Sequence, residues 1–231
     1  MARPTDPGRE LIAEAPLAAA HPERLADHAH RVIREAIVEG KLAMGQRLVE
    51  TALSERLGMS RAPIREAMRR LAEEGLVVES ANRGSFVAVI GPTDLVDLYH
   101  FRVAVEEMAA RLFVRHEGKV STLRQPLSKM QAAAEAGDVA AVVRQEIAFH
   151  REILRQSQNP YLRSAFERLS GPIQMALSID DAAYRDLKAV ADEHLEVMAA
   201  LAGDDESAAA ATMRQHILAS LEQAARHIGS G

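Results

Sequence analysis

Cysteine and tryptophan are absent from the 231 residues, and aromatic residues make up only 3% of them. Without cysteine the chain forms neither disulfides nor thiolate metal sites, which fits a reducing compartment. No apolar run approaches the roughly 20 residues of a membrane-spanning helix. Arg9, Glu10 and Glu14 interrupt the region where a signal peptide carries its apolar core. These absences favour a cytoplasmic protein that contacts no membrane.

The charge is small overall but unevenly distributed. The net charge is −5, and residues 91–231 carry 15 basic and 20 acidic side chains. Residues 22–90 carry 11 basic and 10 acidic side chains, and the short stretch 58–70 has four arginines and one glutamate. A net negative charge disfavours nonspecific binding to nucleic acid. The chain can still present its basic groups to DNA on one element.

Residues 45–86 predict two short helices, a tight turn and a β-hairpin. Leu53 and Leu57 lie four residues apart and therefore share one helix face. Gly58 suits the left-handed residue that ends a helix, and Ser60 suits the N-cap of the next one. This order of elements is typical of a winged helix-turn-helix.

The second helix has one apolar face and one basic stripe. Arg61, Arg65 and Arg69 recur every four residues and form the stripe. The apolar face is predicted to contain Ile64, Ala67, Met68 and Leu71. Residues 76–79 and 86–89 are rich in β-forming side chains and flank a turn that contains Asn82, Arg83 and Gly84.

This stripe has the chemistry of a DNA reader. A guanidinium group donates two parallel hydrogen bonds to guanine O6 and N7 and also matches phosphate oxygens. The helix N-terminus, with Ser60, suits a phosphate, and Arg83 and Gly84 at the wing tip would touch the minor groove or the backbone. Arginines at this spacing also occur on ordinary solvated helix faces. The cap, turn and hairpin that accompany them favour DNA binding.

Gly91-Pro92 predicts a domain boundary, with a tail at residues 1–21, a winged domain at 22–90, a linker at 91–93 and a helical domain at 94–229. Thr93 or Asp94 is expected to cap the first helix of the second domain. Short connections predict an antiparallel bundle. Its six helices are expected at residues 94–116, 120–136, 138–156, 160–180, 182–201 and 204–228. The predicted fold class is mainly α, a winged helix-turn-helix plus a six-helix bundle.

One set of side chains in the second domain could bind a metal ion. Glu146 and His150 lie four residues apart on one predicted helix, and His194 and His216 fall on two later helices. Three imidazoles and a carboxylate suit Zn²⁺, Ni²⁺, Mn²⁺ or Fe²⁺. Each histidine alone could equally be a hydrogen-bonded core or surface residue.

The chain resembles the GntR family of bacterial transcription regulators, in its FadR-type branch. The resemblance starts with Ile37, Gly40, Leu42, Gly45 and Leu48. It continues through the run Leu57-Gly58-Met59-Ser60-Arg61 and through Pro63-Ile64-Arg65-Glu66-Ala67, Leu71, Gly75-Leu76 and Arg83-Gly84. The resemblance implies that Arg61 and Arg65 read bases and that Ser60 contacts phosphate. Thr51 stands where some relatives have a DNA-contacting arginine.

The same resemblance implies an all-helical FCD ligand-binding domain of the six-helix, VanR-like subgroup. Phe149-His150, Glu193-His194 and Gln215-His216 match its metal-binding positions, with Glu146 where relatives usually have aspartate. Arg102 matches an arginine that binds a carboxylate effector, although an intrahelical pair with Glu106 is the alternative.

The resemblance therefore implies a nucleoid-associated bacterial homodimer on a pseudo-palindromic operator, controlled by a small organic acid and most simply a repressor. Two other interpretations differ in class. A metal-dependent enzyme could use the three histidines, but no His-Glu-x-x-His motif or nucleophile–base pair is evident. A winged-helix protein-interaction module would not need the arginine stripe.

Overall fold

The computed structural model describes residues 22–81, 83–183 and 186–228. The tail predicted at residues 1–21 and the turn residue Asn82 lie outside the described residues. The helices are α1 (Pro22–Val38), α2 (Glu50–Leu57), α3 (Arg61–Glu73), α4 (Pro92–Arg115), α5 (Arg124–Glu135), α6 (Val139–Gln156), α7 (Pro160–Ala183), α8 (Leu187–Leu201) and α9 (Glu206–Ile228). The strands are β1 (Arg47–Leu48), β2 (Val77–Ser80) and β3 (Gly84–Val87).

The winged helix-turn-helix is confirmed. Gly58 ends α2 in the left-handed region at φ 61°, where a side chain would be strained. Ser60 occupies the N-cap position of α3, although its hydroxyl makes no capping hydrogen bond. The apolar face of α3 is buried as predicted, and it packs on α1. Its buried members include Ile64, Ala67, Met68 and Leu71.

The wing is a sheet of three antiparallel strands in the order β1-β3-β2. β3 pairs with β2 through Val78 and Phe86, and with β1 through Arg47 and Phe86. The sequence predicts the hairpin but not β1, which has only two residues and no detectable period. The strands also lie slightly closer to the turn than predicted, so that the hairpin is shorter than residues 76–89.

The second domain is a bundle of six helices, α4 to α9, as predicted. Helix α4 packs mainly against α9, and α5 packs against α6 and α8. Apolar side chains from the bundle helices form one continuous core. Among the helices that the structure describes, none combines the length and the apolar character that a bilayer crossing requires.

Several predicted boundaries were wrong. Helix α8 begins at Leu187 rather than at residue 182, because Asp186 caps it by accepting from the Lys188 N–H at 2.9 Å. Helix α4 begins at Pro92, so the predicted linker at residues 91–93 is reduced to Gly91. A short 3-10 helix at Val120–Leu123 precedes α5, because Pro126 cannot donate the helical hydrogen bond that a continuous helix from residue 120 would require. Helix α7 continues through Asp180-Asp181 to Ala183, since aspartate only weakly disfavours helix. Gly91, rather than Thr93 or Asp94, is the N-cap of α4, and the Asp94 carboxylate accepts from the Gly91 N–H at 2.9 Å.

Helix α7 joins the two domains. Ile173 and Leu177 on one side are buried in the bundle core. Met175 instead belongs to the apolar core of the winged domain, and the Ser178 hydroxyl donates to the Val38 carbonyl at 3.3 Å. Gly171 lies against the loop that follows α3. The C-terminal end of α3 therefore packs directly on a helix of the bundle.

Gly171→Ala is expected to disturb this contact. A Cβ at Gly171 would lie 2.6 Å from Leu76 Cγ and 2.8 Å from the Glu74 carbonyl oxygen, and the carbonyl cannot rotate away. Overpacking of this kind costs about 1–3 kcal/mol, although alanine within a helix is otherwise favoured over glycine. We expect a lower melting temperature and faster proteolysis between the domains.

Gly203→Ala is the matched control, because its added Cβ would lie 3.4 Å from the nearest atom, the Ala200 carbonyl oxygen. A melting temperature of Gly171→Ala equal to or above that of the wild type would contradict the contact.

Candidate functional site

The basic stripe of α3 faces solvent. The side chains of Arg61, Arg65 and Arg69 are 60%, 67% and 57% exposed. Ser60 and Thr51 are exposed close by in the chain, at the start of α3 and in the first turn of α2. An exposed row of guanidinium groups beside a helix N-terminus can meet a DNA groove without rearrangement of the fold.

A carboxylate that the sequence analysis missed holds two of these arginines. Glu50 Oε1 accepts from Arg65 Nε at 3.3 Å, and Oε2 accepts from Arg65 Nη2 at 3.3 Å and from Arg61 Nη2 at 3.4 Å. The hydrogen bond from Arg65 is the main reason why the pKa of Glu50 is lowered. The partners lie 11 and 15 residues from Glu50 on another helix, so helical spacing gave no signal.

Arg69 is held differently. It donates to Glu66 at 2.6 Å and also pairs with Glu73, and both acids lie on α3 itself. Pairs of this kind at helical spacing are common on solvated helix faces and contribute little. The stripe therefore divides into Arg61 and Arg65, which share a partner on α2, and Arg69, which has local partners.

The wing tip places Arg83 and Gly84 at the surface, both exposed. Gly84 has φ 97°, where a side chain would be strained. A Cβ there would also lie 3.5 Å from Nε of Arg47, so Arg47 on β1 lies beside the wing tip. Arg47 lies 37 positions before Gly84 in the sequence, and no local spacing indicates that it belongs to this surface.

The second site lies inside the bundle. Glu146, His150, His194 and His216 each offer one ligand atom, and these four atoms lie within 4.8 Å of one another. All four residues are buried. Helix α6 supplies Glu146 and His150 from adjacent turns, while α8 and α9 supply one histidine each. The four residues that spacing and resemblance selected are therefore in one place.

Several nitrogen atoms in this cluster have no hydrogen-bond partner in the part of the chain that the structure describes. His194 Nδ1 lies 2.7 Å from the Val190 carbonyl oxygen, which can only accept, so the proton is on Nδ1. Its Nε2 and both ring nitrogens of His216 have no hydrogen-bond partner among the described residues. Buried polar atoms without partners are costly, and a bound ion would satisfy them. The donor set and its orphaned nitrogens therefore fit a divalent metal ion.

His194 and His216 have the protonation state that a metal requires. Burial, together with the neighbouring His150, lowers the pKa of His194 to about 3. Burial and the adjacent His194 also hold the pKa of His216 well below its usual value. Both rings are therefore neutral at pH 7, and a neutral imidazole is the form that coordinates a metal.

Arg102 and Glu106 border the cluster from α4. Arg102 Nε donates to Glu106 Oε1 at 2.8 Å, and Arg102 Nη2 lies 3.4 Å from His150 Nε2. Glu106 also pairs with His150 Nδ1. Burial alone would raise the pKa of Glu106, but Arg102 and His150 lower it to about 2. Arg102 thus makes the intrahelical pair and faces the cluster as well.

A small cleft reaches the cluster from outside. It lies between α8 and α9, has a volume of about 140 Å³, and ends at His216. Glu193 and Glu196 line it together with Thr212. His216 therefore belongs both to the buried cluster and to the lining of a surface cleft.

Comparison with known proteins identifies the family of each domain. Residues 25–87 match the family described as bacterial regulatory proteins, gntR family, and residues 97–219 match the FCD domain. The Nta operon transcriptional regulator of Aminobacter aminovorans is 31% identical over 183 residues, covering 78% of this chain and 84% of that protein. The transcriptional repressor RspR of Escherichia coli K12 is 27% identical over 192 residues, covering 81% of this chain and 83% of the relative.

The fold has a solved counterpart as well. The structure of E. coli McbR/YncC superposes with a TM-score of 0.72 at 25% sequence identity, covering 86% of this chain and 97% of the other. The relatives are regulators rather than enzymes, so the metal-dependent enzyme interpretation is set aside. The chain belongs to the GntR family, with an FCD domain after its helix-turn-helix, and is a DNA-binding transcription regulator.

Proposed function

We propose that this regulator binds a pseudo-palindromic operator as a homodimer and that a small organic acid, bound beside a metal ion in the bundle, controls this binding. The observation that carries the proposal is the buried cluster of three histidines and Glu146 next to Arg102. An apolar bundle that needed only stability would gain little from so many buried polar groups.

At the DNA, Arg61 and Arg65 read base edges in the major groove, where their exposed guanidinium groups match guanine. Ser60 and the N-terminus of α3 bind a phosphate, and Arg69 meets the backbone. Arg83 and Gly84 extend the contact at the wing. Thr51 is too short to replace the arginine of some relatives, so the operator contact at that position is lost or weaker.

In the bundle, Glu146, His150, His194 and His216 hold one divalent ion, of which Zn²⁺, Ni²⁺, Mn²⁺ and Fe²⁺ suit the donors. Such an ion would supply a positive centre with open positions for an anionic oxygen. The glutamates that line the cleft at His216 favour the entry of a cation.

Arg102 binds the carboxylate of the effector. Its side chain is buried, and its Nη1 has no hydrogen-bond partner among the residues described. Its planar fork suits a carboxylate better than a point charge would. Glu106 holds the guanidinium in place through Nε, and Nη2 lies against His150, which leaves Nη1 for the ligand.

Helix α7 couples the effector site in the bundle to the DNA-binding domain. It packs on α4, α6 and α9, which bear Arg102, His150 and His216, and it also contacts α1 and the loop after α3. An effector acts only through different affinities for two arrangements of these helices. The simplest outcome is a repressor that releases its operator when the acid binds, and one relative, RspR, is named as a repressor.

Arg61→Ala should weaken operator binding by about tenfold to a hundredfold, because one bidentate base contact is lost. Titration of a labelled operator in a gel-shift assay measures this. Arg155→Ala is the control, since Arg155 pairs with Glu152 on α6 and removes the same charge elsewhere. Equal operator affinity of Arg61→Ala and the wild type would remove Arg61 from the contact.

The double variant His150→Ala, His194→Ala should lose the metal. Elemental analysis of the wild type is expected to give about one ion per chain, and of the variant almost none, because two of four ligands are missing. His100→Ala, an exposed histidine on α4, should keep the wild-type content. Full metal content in the double variant would refute the assigned ligands.

A thermal-shift screen with small carboxylates, with and without divalent metal, should identify the effector. A ligand stabilises the state that it binds, and each kcal/mol raises the melting temperature of a chain of this size by about 2–4 °C. The double variant Arg102→Gln, Glu106→Gln removes the ion pair as a unit, so that neither charge is left alone. It should lose the shift, and an unchanged shift would exclude Arg102.

A further inference from the structure

Glu50 is the first residue of α2 and lies where two helices of the DNA-binding domain meet. Its carboxylate accepts three hydrogen bonds, two from Arg65 and one from Arg61. The Glu50 side chain is 31% exposed, about half as much as the two arginines. The guanidinium groups are therefore more accessible to solvent than the carboxylate that they contact.

The shared carboxylate reduces the electrostatic repulsion between the two guanidinium groups. Two guanidinium groups side by side repel each other, and each has many rotamers to lose when it is ordered on DNA. One carboxylate between them offsets the repulsion and orders both before DNA arrives. This reduces the entropic cost of binding in one defined orientation.

The geometry leaves the base-reading edge available. Arg65 uses Nε and one hydrogen of Nη2 for Glu50. A guanidinium group has five N–H donors, so Nη1 and the second hydrogen of Nη2 remain. These two parallel donors form the end-on edge that matches guanine O6 and N7. Glu50 and a guanine can therefore be bound by Arg65 at the same time.

The ion pairs of Arg69 differ from the contacts that Glu50 makes with Arg61 and Arg65. Its acids, Glu66 and Glu73, lie on the same helix at spacings of three and four residues, as on any solvated helix. Glu50 instead reaches across from another helix to two arginines at once. The basic stripe of α3 thus has two kinds of ion pair. Arg61 and Arg65 share a carboxylate from another helix, whereas Arg69 pairs only with acids of its own helix.

We propose that Glu50 is a positioning residue that sets the sequence specificity of this regulator by fixing Arg61 and Arg65 for base reading. On a wrong sequence the arginines would turn to phosphate oxygens and leave a carboxylate uncompensated beside the DNA backbone. Glu50 therefore weakens nonspecific binding and leaves binding to the correct site favourable. This inference rests on the proposed assignment of Arg61 and Arg65 as base readers.

The test uses the full-length protein and duplex DNA selected from a randomised pool. The quantity measured is the ratio of affinities for the selected duplex and a scrambled duplex at one salt concentration, because phosphate contacts depend on salt. Glu50→Gln and Glu50→Ala are compared with Glu66→Gln, which makes the same charge change beside Arg69. Melting temperatures check that each variant is folded.

We expect both Glu50 variants to lose about tenfold or more of the specificity ratio, with nonspecific affinity equal to or above that of the wild type. Glu66→Gln should keep the wild-type ratio. If the wild type selects a sequence but the Glu50 variants keep its ratio, or Glu66→Gln loses as much, the positioning role is overturned. If the wild type selects no sequence, the base-reader assignment fails and the role of Glu50 fails with it.

Discussion

The burial of charged side chains and imidazoles at the centre of an apolar bundle is the constraint on which the C-terminal domain depends. Arg102, Glu106 and His150 are each about 1% exposed. Removal of such groups from water costs several kcal/mol per ion, which only close partners recover. Arg102 and Glu106 compensate each other from adjacent turns of α4. Within the described part of the chain, no protein atom hydrogen-bonds to Nε2 of His194 or to the ring nitrogens of His216, so their share of this cost is not recovered.

The remaining architecture connects this core to the DNA. Helix α7 has one side in the bundle and another in the winged domain, where Met175 belongs to the apolar core. Gly171 allows the loop after α3 to approach closely, since a Cβ there would meet the Glu74 carbonyl. Glu74 in turn accepts from Arg34 of α1 at 3.1 Å. A shift of α7 therefore reaches both α1 and the end of α3, and the two domains are not independent modules.

The features that could be predicted from the sequence are those that depend on local hydrophobic periodicity and on turn residues. The buried face of α3, the left-handed Gly58 and the six bundle helices all follow from spacing and from glycine or proline. What the sequence did not predict depends on distant contacts. Glu50 and Gly171 look unremarkable in sequence, and their roles come from contacts with distant parts of the chain. The spacing does suggest the pair of Glu106 with Arg102, but not the contact of Glu106 with His150 on α6. The candidate metal-binding cluster could be predicted only because resemblance joined the Glu146–His150 spacing to two histidines far along the chain.

The central claim is that the state of the buried cluster sets the affinity of the arginine surface for DNA. Coupling between two sites is reciprocal, so a ligand at one must change binding at the other. The most direct measurement is the operator dissociation constant of the full-length protein at fixed salt, metal-loaded and after chelation, each with and without the acid found by thermal shift. The account predicts that the acid changes the operator affinity of the metal-loaded protein and that chelation removes this change. Four equal dissociation constants would contradict it.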